Sequence, residues 1–158
     1  MDNQLITDLI TSTERFKLFV LLTQKNEISE RVRVLESLGI NAIDLGREVA
    51  KFLDELEDYS YLTIDVIDYV KKLMDKNVKK IKTSGNDIVA IYNLGILLEP
   101  QLELNPSLLL KEFSKTTSLL IIWENQVEFP NRLFWNENHP HVSFEFSDAQ
   151  LKQLQYAL

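Results

Sequence analysis

A buried strand that runs directly into a helix is where many α/β proteins hold a phosphate, and "LFVLLTQKNEISERVRVL" (Leu18–Leu35) has that form. A phosphate loop at such a junction needs glycines, so that backbone N–H groups can wrap the anion. It also needs a lysine to reach the terminal phosphates and a Ser/Thr hydroxyl to hold magnesium. Placed on that pattern, the loop Thr23–Glu30 puts Ile28 at the second glycine, Ser29 at the lysine and Glu30 at the hydroxyl, and the first glycine of the chain is Gly39. Lys25 and Ser29 remain as polar groups, but a tight anion nest is sterically hard to form without glycine, and a carboxylate at position 30 repels a polyphosphate. These residue types favour an ordinary turn or a degenerate site over a working nucleotide site.

A magnesium-dependent nucleotide enzyme of this kind also ends its third strand in an aspartate. Here "IVAIYN" ends in Tyr92 and Asn93, with Gly95 two positions on, and supplies neither a metal ligand nor a general base. Asp87 begins that strand, at the end opposite to the one where open α/β sheets place their ligands. His139 and His141 flank a proline in "NHPHV" and fall on one side of an extended segment, with Glu137 and Glu145 near in sequence. Two imidazoles without a third fixed ligand do not define a metal site, and a surface loop with a proline-set turn accounts for them as well. No cysteine is present, which removes thiol nucleophiles, disulfides and zinc ribbons, and no Ser/His/Asp set stands out by spacing.

Two charged stretches are also conspicuous. "KKLMDKNVKKIK" holds Lys71, Lys72, Lys76, Lys79, Lys80 and Lys82, and "DELEDY" (Asp54–Tyr59) precedes it. Lysines at a helix C-terminus complement its dipole and solvate a polar face; contact with nucleic acid through these six is the competing reading. The two stretches could pair with each other or with a partner subunit. Trp123, Phe134 and Trp135 read as local packing or, alternatively, as interface anchors.

The elements that must position these groups follow from periodicity. Leu5, Ile6, Leu9 and Ile10 predict a first helix within residues 4–14, and "FKLFVLL" (Phe16–Leu22) a strand covered on both faces. Ile28, Val32 and Leu35 give the next helix, ended by Gly39. Ile40–Gly46 reads as a second strand, with Gly46 separating it from a helix carrying Val49, Phe52, Leu53 and Leu56. A helix over Thr63–Lys76, with Thr63 as its cap, buries Val66, Ile67, Val70, Leu73 and Met74. After a turn at Thr83–Asp87, Asp87–Asn93 is the next buried strand; Asn105 as cap and Pro106 at the first helical position then open a helix with Leu109, Leu110 and Phe113 inward. Ser118–Glu124 is a further buried strand, followed by a long loop or hairpin and an alternating strand at Val142–Phe146. Ser147 and Gln150 have capping-box spacing for a last helix over Asp148–Tyr156.

Strands alternating with helices predict a three-layer α/β/α domain with a mainly parallel sheet, a single domain over residues 1–158. The 158 residues fit one domain with its own core. With 45% hydrophobic and 26% charged residues, no apolar run of membrane-spanning length and no charged-then-apolar N-terminal segment, a soluble cytoplasmic protein is expected. A net charge of −7 opposes general attraction to nucleic acid.

The segment "DIVAIYNLGILLEPQLELNPSLLLKEFSKTTSLLIIWEN", with "LFW" and "NHPH" after it, resembles BrxF, a family of small P-loop proteins of BREX anti-phage defence systems. In that family a Walker-B strand is followed by a "P-x-L-x-L-[DN]-P" stretch and a leucine helix, then a strand ending in tryptophan and an "HP" dipeptide before the last strand. The resemblance runs from Phe16 to Phe146 in order and spacing, and is most specific from Ile88 onward. Family members resemble NTPases with an intact glycine-rich loop and an acidic Walker-B end, whereas this chain has Ile28, Ser29, Glu30, Tyr92 and Gly95 at those places, so the family's ATP-binding residues do not carry over. The resemblance therefore implies a P-loop NTPase-like fold for the single domain over residues 1–158 and a setting in anti-viral defence, while the departures make the Walker positions degenerate, so that no cofactor is expected. The first expectation is a non-catalytic interaction subunit, bound to other proteins of a defence complex or to itself. The alternative is an enzyme or nucleotide-binding protein with an atypical site near the C-terminal ends of the central strands, drawing on Asn93, Glu124, His139 and His141.

Overall fold

The computed structural model describes residues 3–80, 85–135 and 142–154. Among the described residues five helices, α1 (Asn3–Thr11), α2 (Ile28–Ser37), α3 (Leu45–Glu55), α4 (Leu62–Lys76) and α5 (Pro106–Phe113), accompany eight strands. Strands β1 (Leu18–Leu22), β2 (Ala42–Asp44), β3 (Asp87–Tyr92), β4 (Thr117–Trp123) and β8 (Leu151–Gln153) form one sheet in the order β2-β3-β4-β1-β8. Every pairing in it is parallel. Strands β5 (Val127–Glu128), β6 (Arg132–Phe134) and β7 (Ser143–Glu145) form a second, antiparallel sheet.

The near-continuous apolar runs in β1, β3 and β4 follow from burial on both faces. On one face Val20, Ile43, Ile91, Leu119 and Trp123 meet α3, α4, α5 and the small sheet through Val49, Val70, Leu110 and Phe144. On the other, Phe19, Leu21, Ile88, Leu120 and Ile122 meet α1 and α2 through Leu9 and Leu35. The expected three-layer α/β/α arrangement is therefore present, with the antiparallel sheet added to one layer. Polar groups secure α1 to the sheet. Asn86 Nδ2 donates to the carbonyls of Leu9 (3.2 Å) and Ser12 (2.9 Å), and the buried Ser118 hydroxyl donates to Leu9 O.

Capping residues explain several boundaries. Gly39, at φ 78°, ends α2, and the Ile40 N–H reaches back 2.9 Å to Leu35 O, as in a Schellman motif. Asn105 accepts from Leu108 N at 3.2 Å, with Pro106 opening α5 as expected.

Three expectations are corrected. Gly46 does not separate β2 from α3 but lies inside the first turn of α3, whose cap is Asp44, accepting from Arg47 N at 3.0 Å. Thr63 does not cap α4, which starts at Leu62; its hydroxyl instead donates to Leu102 O at 2.7 Å. The chain after Ser147 forms strand β8, not the start of a helix. Strand β1 needs a hydrogen-bonding partner on its second edge, and β8 supplies one, in register from Leu18 with Leu151 to Val20 with Gln153. Leu151 then joins one layer of the core and Leu154 the other. Residues 81–84, including Lys82 and the start of the expected Thr83–Asp87 turn, lie outside the described residues. So do 136–141, which contain Glu137, His139 and His141.

Candidate functional site

The segments after β1 and β4 leave for opposite faces of the sheet: β1 leads into α2, and β4 into the small antiparallel sheet. Between such neighbouring strands an open α/β sheet forms its ligand crevice, at the carboxyl ends. Here Thr23 N donates to Trp123 O at 3.0 Å, so pairing continues one residue past the end of β1.

The loop beyond is built without a nest. Gln24 is extended, Lys25–Glu27 form one 3₁₀ turn and α2 follows at once. A nest needs alternating right- and left-handed backbone so that consecutive N–H groups converge. Among the described residues positive φ occurs at Gly39, Asn93, Glu103 and Ser147, none of them in Thr23–Glu30. The positive end of the α2 dipole is met instead by the chain's own carboxylates. Glu27 pairs with Arg31 at 3.5 Å and Glu30 with Arg33. Lys25 and Ser29 are exposed. A polyphosphate placed there meets two carboxylates already paired with arginines and a loop with no left-handed residue to form a nest, so the residues present do not fit a phosphate loop for a nucleotide triphosphate.

The end of β3 is committed in the same way. Asn93 takes a left-handed backbone (φ 57°), and its Nδ2 donates 2.7 Å to Asp44 Oδ1, the oxygen that also caps α3. A Cβ at Gly46 would stand 2.4 Å from Asn93 Nδ2, which explains a glycine within a helix. Tyr92, half-buried, has its phenol pushed above the ordinary value of 10.0, by burial first and then by the nearby Asp44 and Glu36 charges, with Arg47 opposing. The third strand thus ends in a phenol, not in a carboxylate. It lines a surface depression of about 380 Å³ at the β2 edge with Asp44, Arg47, Glu48, Lys76 and Asn77.

Gly95 has a packing role: a Cβ there would lie 2.4 Å from the Trp135 ring. Trp135 leans on Trp123 (centroids 6.2 Å apart), which stands edge-on to Phe144 at 5.8 Å and donates from Nε1 to Gln126 O at 3.1 Å. Trp123 is 1% exposed, so the packing reading holds for it. Phe134 carries the Arg132 guanidinium 5.7 Å from its ring centre.

Of the atypical-site residues, Asn93 is engaged by Asp44, Glu124 is half-buried after β4, and His139 and His141 lie outside the described residues. Glu145, their suggested companion, pairs with Arg132 at 3.1 Å. No group of three potential metal ligands occurs among the described residues. The lysine cluster is divided. Lys79 donates to Leu38 O at 2.8 Å and so closes the end of α2, Lys80 pairs with Asp87 at 3.3 Å, and Lys71, Lys72 and Lys76 are exposed on α4. Asp44 was not singled out in the sequence, although an aspartate just before an amphipathic run is the usual cap signal. No helix is long and apolar enough to cross a membrane among the described residues. No protein-family model, curated protein or solved structure matches the chain.

Proposed function

We propose that this chain is a non-catalytic P-loop-like domain that serves as a protein-interaction subunit, in a prokaryotic anti-phage defence assembly of the kind suggested by its resemblance to BrxF. One observation carries the reading: where a phosphate loop would present converging N–H groups, Thr23–Glu30 has no left-handed residue, and Glu27 and Glu30 already answer the helix dipole. Two features support it further. Strands β1 and β4 are paired neighbours whose following segments leave for opposite faces of the sheet, and the third strand ends in Tyr92 and Asn93, the latter bonded to Asp44. A framework whose loop lacks a nest and whose third strand ends in an asparagine bonded to Asp44 suits a scaffold or adaptor better than a hydrolase.

Thermal unfolding tests the reading. A ligand present at a hundred times its Kd stabilises the native state by about 2.7 kcal/mol, which for a domain of this size raises Tm by roughly 5–10 °C. Millimolar Mg·ATP or Mg·GTP is expected to leave Tm unchanged. A rise of that size would overturn the assignment.

A further inference from the structure

Five large apolar side chains are exposed among the described residues, and three of them, Tyr59 (56%), Tyr61 (67%) and Ile64 (60%), fall within six positions at the start of α4. They line one surface groove of about 340 Å³, with Gln101 and Glu103 on its far side. The segment is held by its own polar contacts. Tyr59 Oη donates 2.9 Å to Leu53 O, Asp58 Oδ1 accepts from Ser60 N at 2.9 Å, and the neighbouring Thr63 is tied to Leu102 O. Aromatic groups fixed in place before contact lose little entropy on binding, and they anchor many protein interfaces.

Along this stretch of the chain the charge has one sign. Between Phe52 and Val70 there are six carboxylates (Asp54, Glu55, Glu57, Asp58, Asp65 and Asp68) and no lysine or arginine. Glu103 across the groove and the net charge of −7 act in the same direction. A field of this kind steers and orients cationic partners.

Resting on the interaction-subunit reading, we infer that the Tyr59–Ile64 surface is the docking site for a basic, apolar-anchored segment of a partner protein. The apolar side chains of that segment pack on Tyr61 and Ile64, while its lysines or arginines face the carboxylate rim.

The test uses the full chain and two labelled probes, a short amphipathic Leu/Lys peptide and its Leu/Glu counterpart, followed by fluorescence anisotropy. The Leu/Lys peptide is expected to bind and the Leu/Glu peptide not to. Tyr61→Ala/Ile64→Ala should weaken binding about tenfold, or about 1.4 kcal/mol. Asp54→Lys/Glu57→Lys should weaken it comparably and flatten its salt dependence. Leu108→Ala, at an exposed apolar position on α5, should change nothing. Equal affinity in Tyr61→Ala/Ile64→Ala would overturn the inference. So would a self-associated state, seen by sedimentation, that these substitutions dissociate, because the occupant would then be a second copy. Nucleotide binding with intact peptide binding would remove the non-catalytic reading and leave this surface standing; loss of the surface without nucleotide binding would do the reverse.

Discussion

The carboxyl edge of the sheet and the connector from α3 to α4 use their side chains in opposite ways. At the edge, polar groups that could meet a ligand meet each other: Asn93 with Asp44, Asp44 with the start of α3, Glu27 and Glu30 with Arg31 and Arg33. At the connector, polar groups bond to local backbone, and Tyr59, Tyr61 and Ile64 are left facing solvent. Substitution at the edge should therefore cost stability, whereas substitution at the connector should cost contact with a partner and little stability.

The largest effect is expected at the end of β4. Trp123→Ala removes a ring 1% exposed and in contact with Phe144 and Trp135, and should cost about 3–5 kcal/mol in urea denaturation. A loss below about 1 kcal/mol, typical of a surface position, would contradict a structural role for this edge. Gly46→Ala comes next, at roughly 1–3 kcal/mol, because the new methyl group would meet Asn93 Nδ2 at 2.4 Å. Asn93→Gly accepts the left-handed backbone and removes the side-chain amide, leaving the carbonyl of residue 93 at 2.9 Å as the remaining close contact, so Gly46→Ala/Asn93→Gly should lose less than the sum of the two single changes. Additive losses would mean that the two positions are not coupled.

How far the fold could be read in advance divides along physical lines. Signals contained within a few residues were legible: Asn105 and Pro106 opening α5, Gly39 ending α2, and the doubly buried runs of β1, β3 and β4. What depended on distant partners was not. Ser147 and Gln150 have the spacing of a helix start, yet that segment pairs with the free edge of β1, a contact spanning most of the chain. Gly46 resembles a breaker in sequence; its reason is Asn93, brought beside it by the β2–β3 pairing. That Thr23–Glu30 contains no glycine was plain in the sequence, but the bond between Asn93 and Asp44 was not. The exposed Tyr59, Tyr61 and Ile64 were hidden for a related reason, since aromatic residues beside a helix start read equally well as packing.

Smaller effects set the scale between the two regions. Lys111 bonds to Asp148 at 2.6 Å and holds that carboxyl below its ordinary value of 3.8; Lys115 does the same to Glu112, ordinarily at 4.5. Depressed carboxylates stabilise the fold above their ordinary values, and the contribution is lost as pH falls through the depressed ones. Asp148→Asn/Glu112→Gln should therefore differ from the parent at neutral pH and converge with it in acid, as unfolding at a series of pH values would show. A gap that persists at low pH would assign the effect to packing. Smallest of all, Tyr61→Ala/Ile64→Ala should change stability by no more than about 0.5 kcal/mol. A larger loss would mean that these side chains belong to the core and are not a docking surface.

If the Thr23–Glu30 loop forms no phosphate nest, as its backbone indicates, the chain should not bind nucleotide there. Isothermal titration of the intact chain with Mg·ATP and Mg·GTP addresses it most directly. No saturable heat is expected at millimolar nucleotide. Saturable binding with a micromolar Kd, abolished by Lys25→Ala or Ser29→Ala in the Thr23–Glu30 loop, would contradict it.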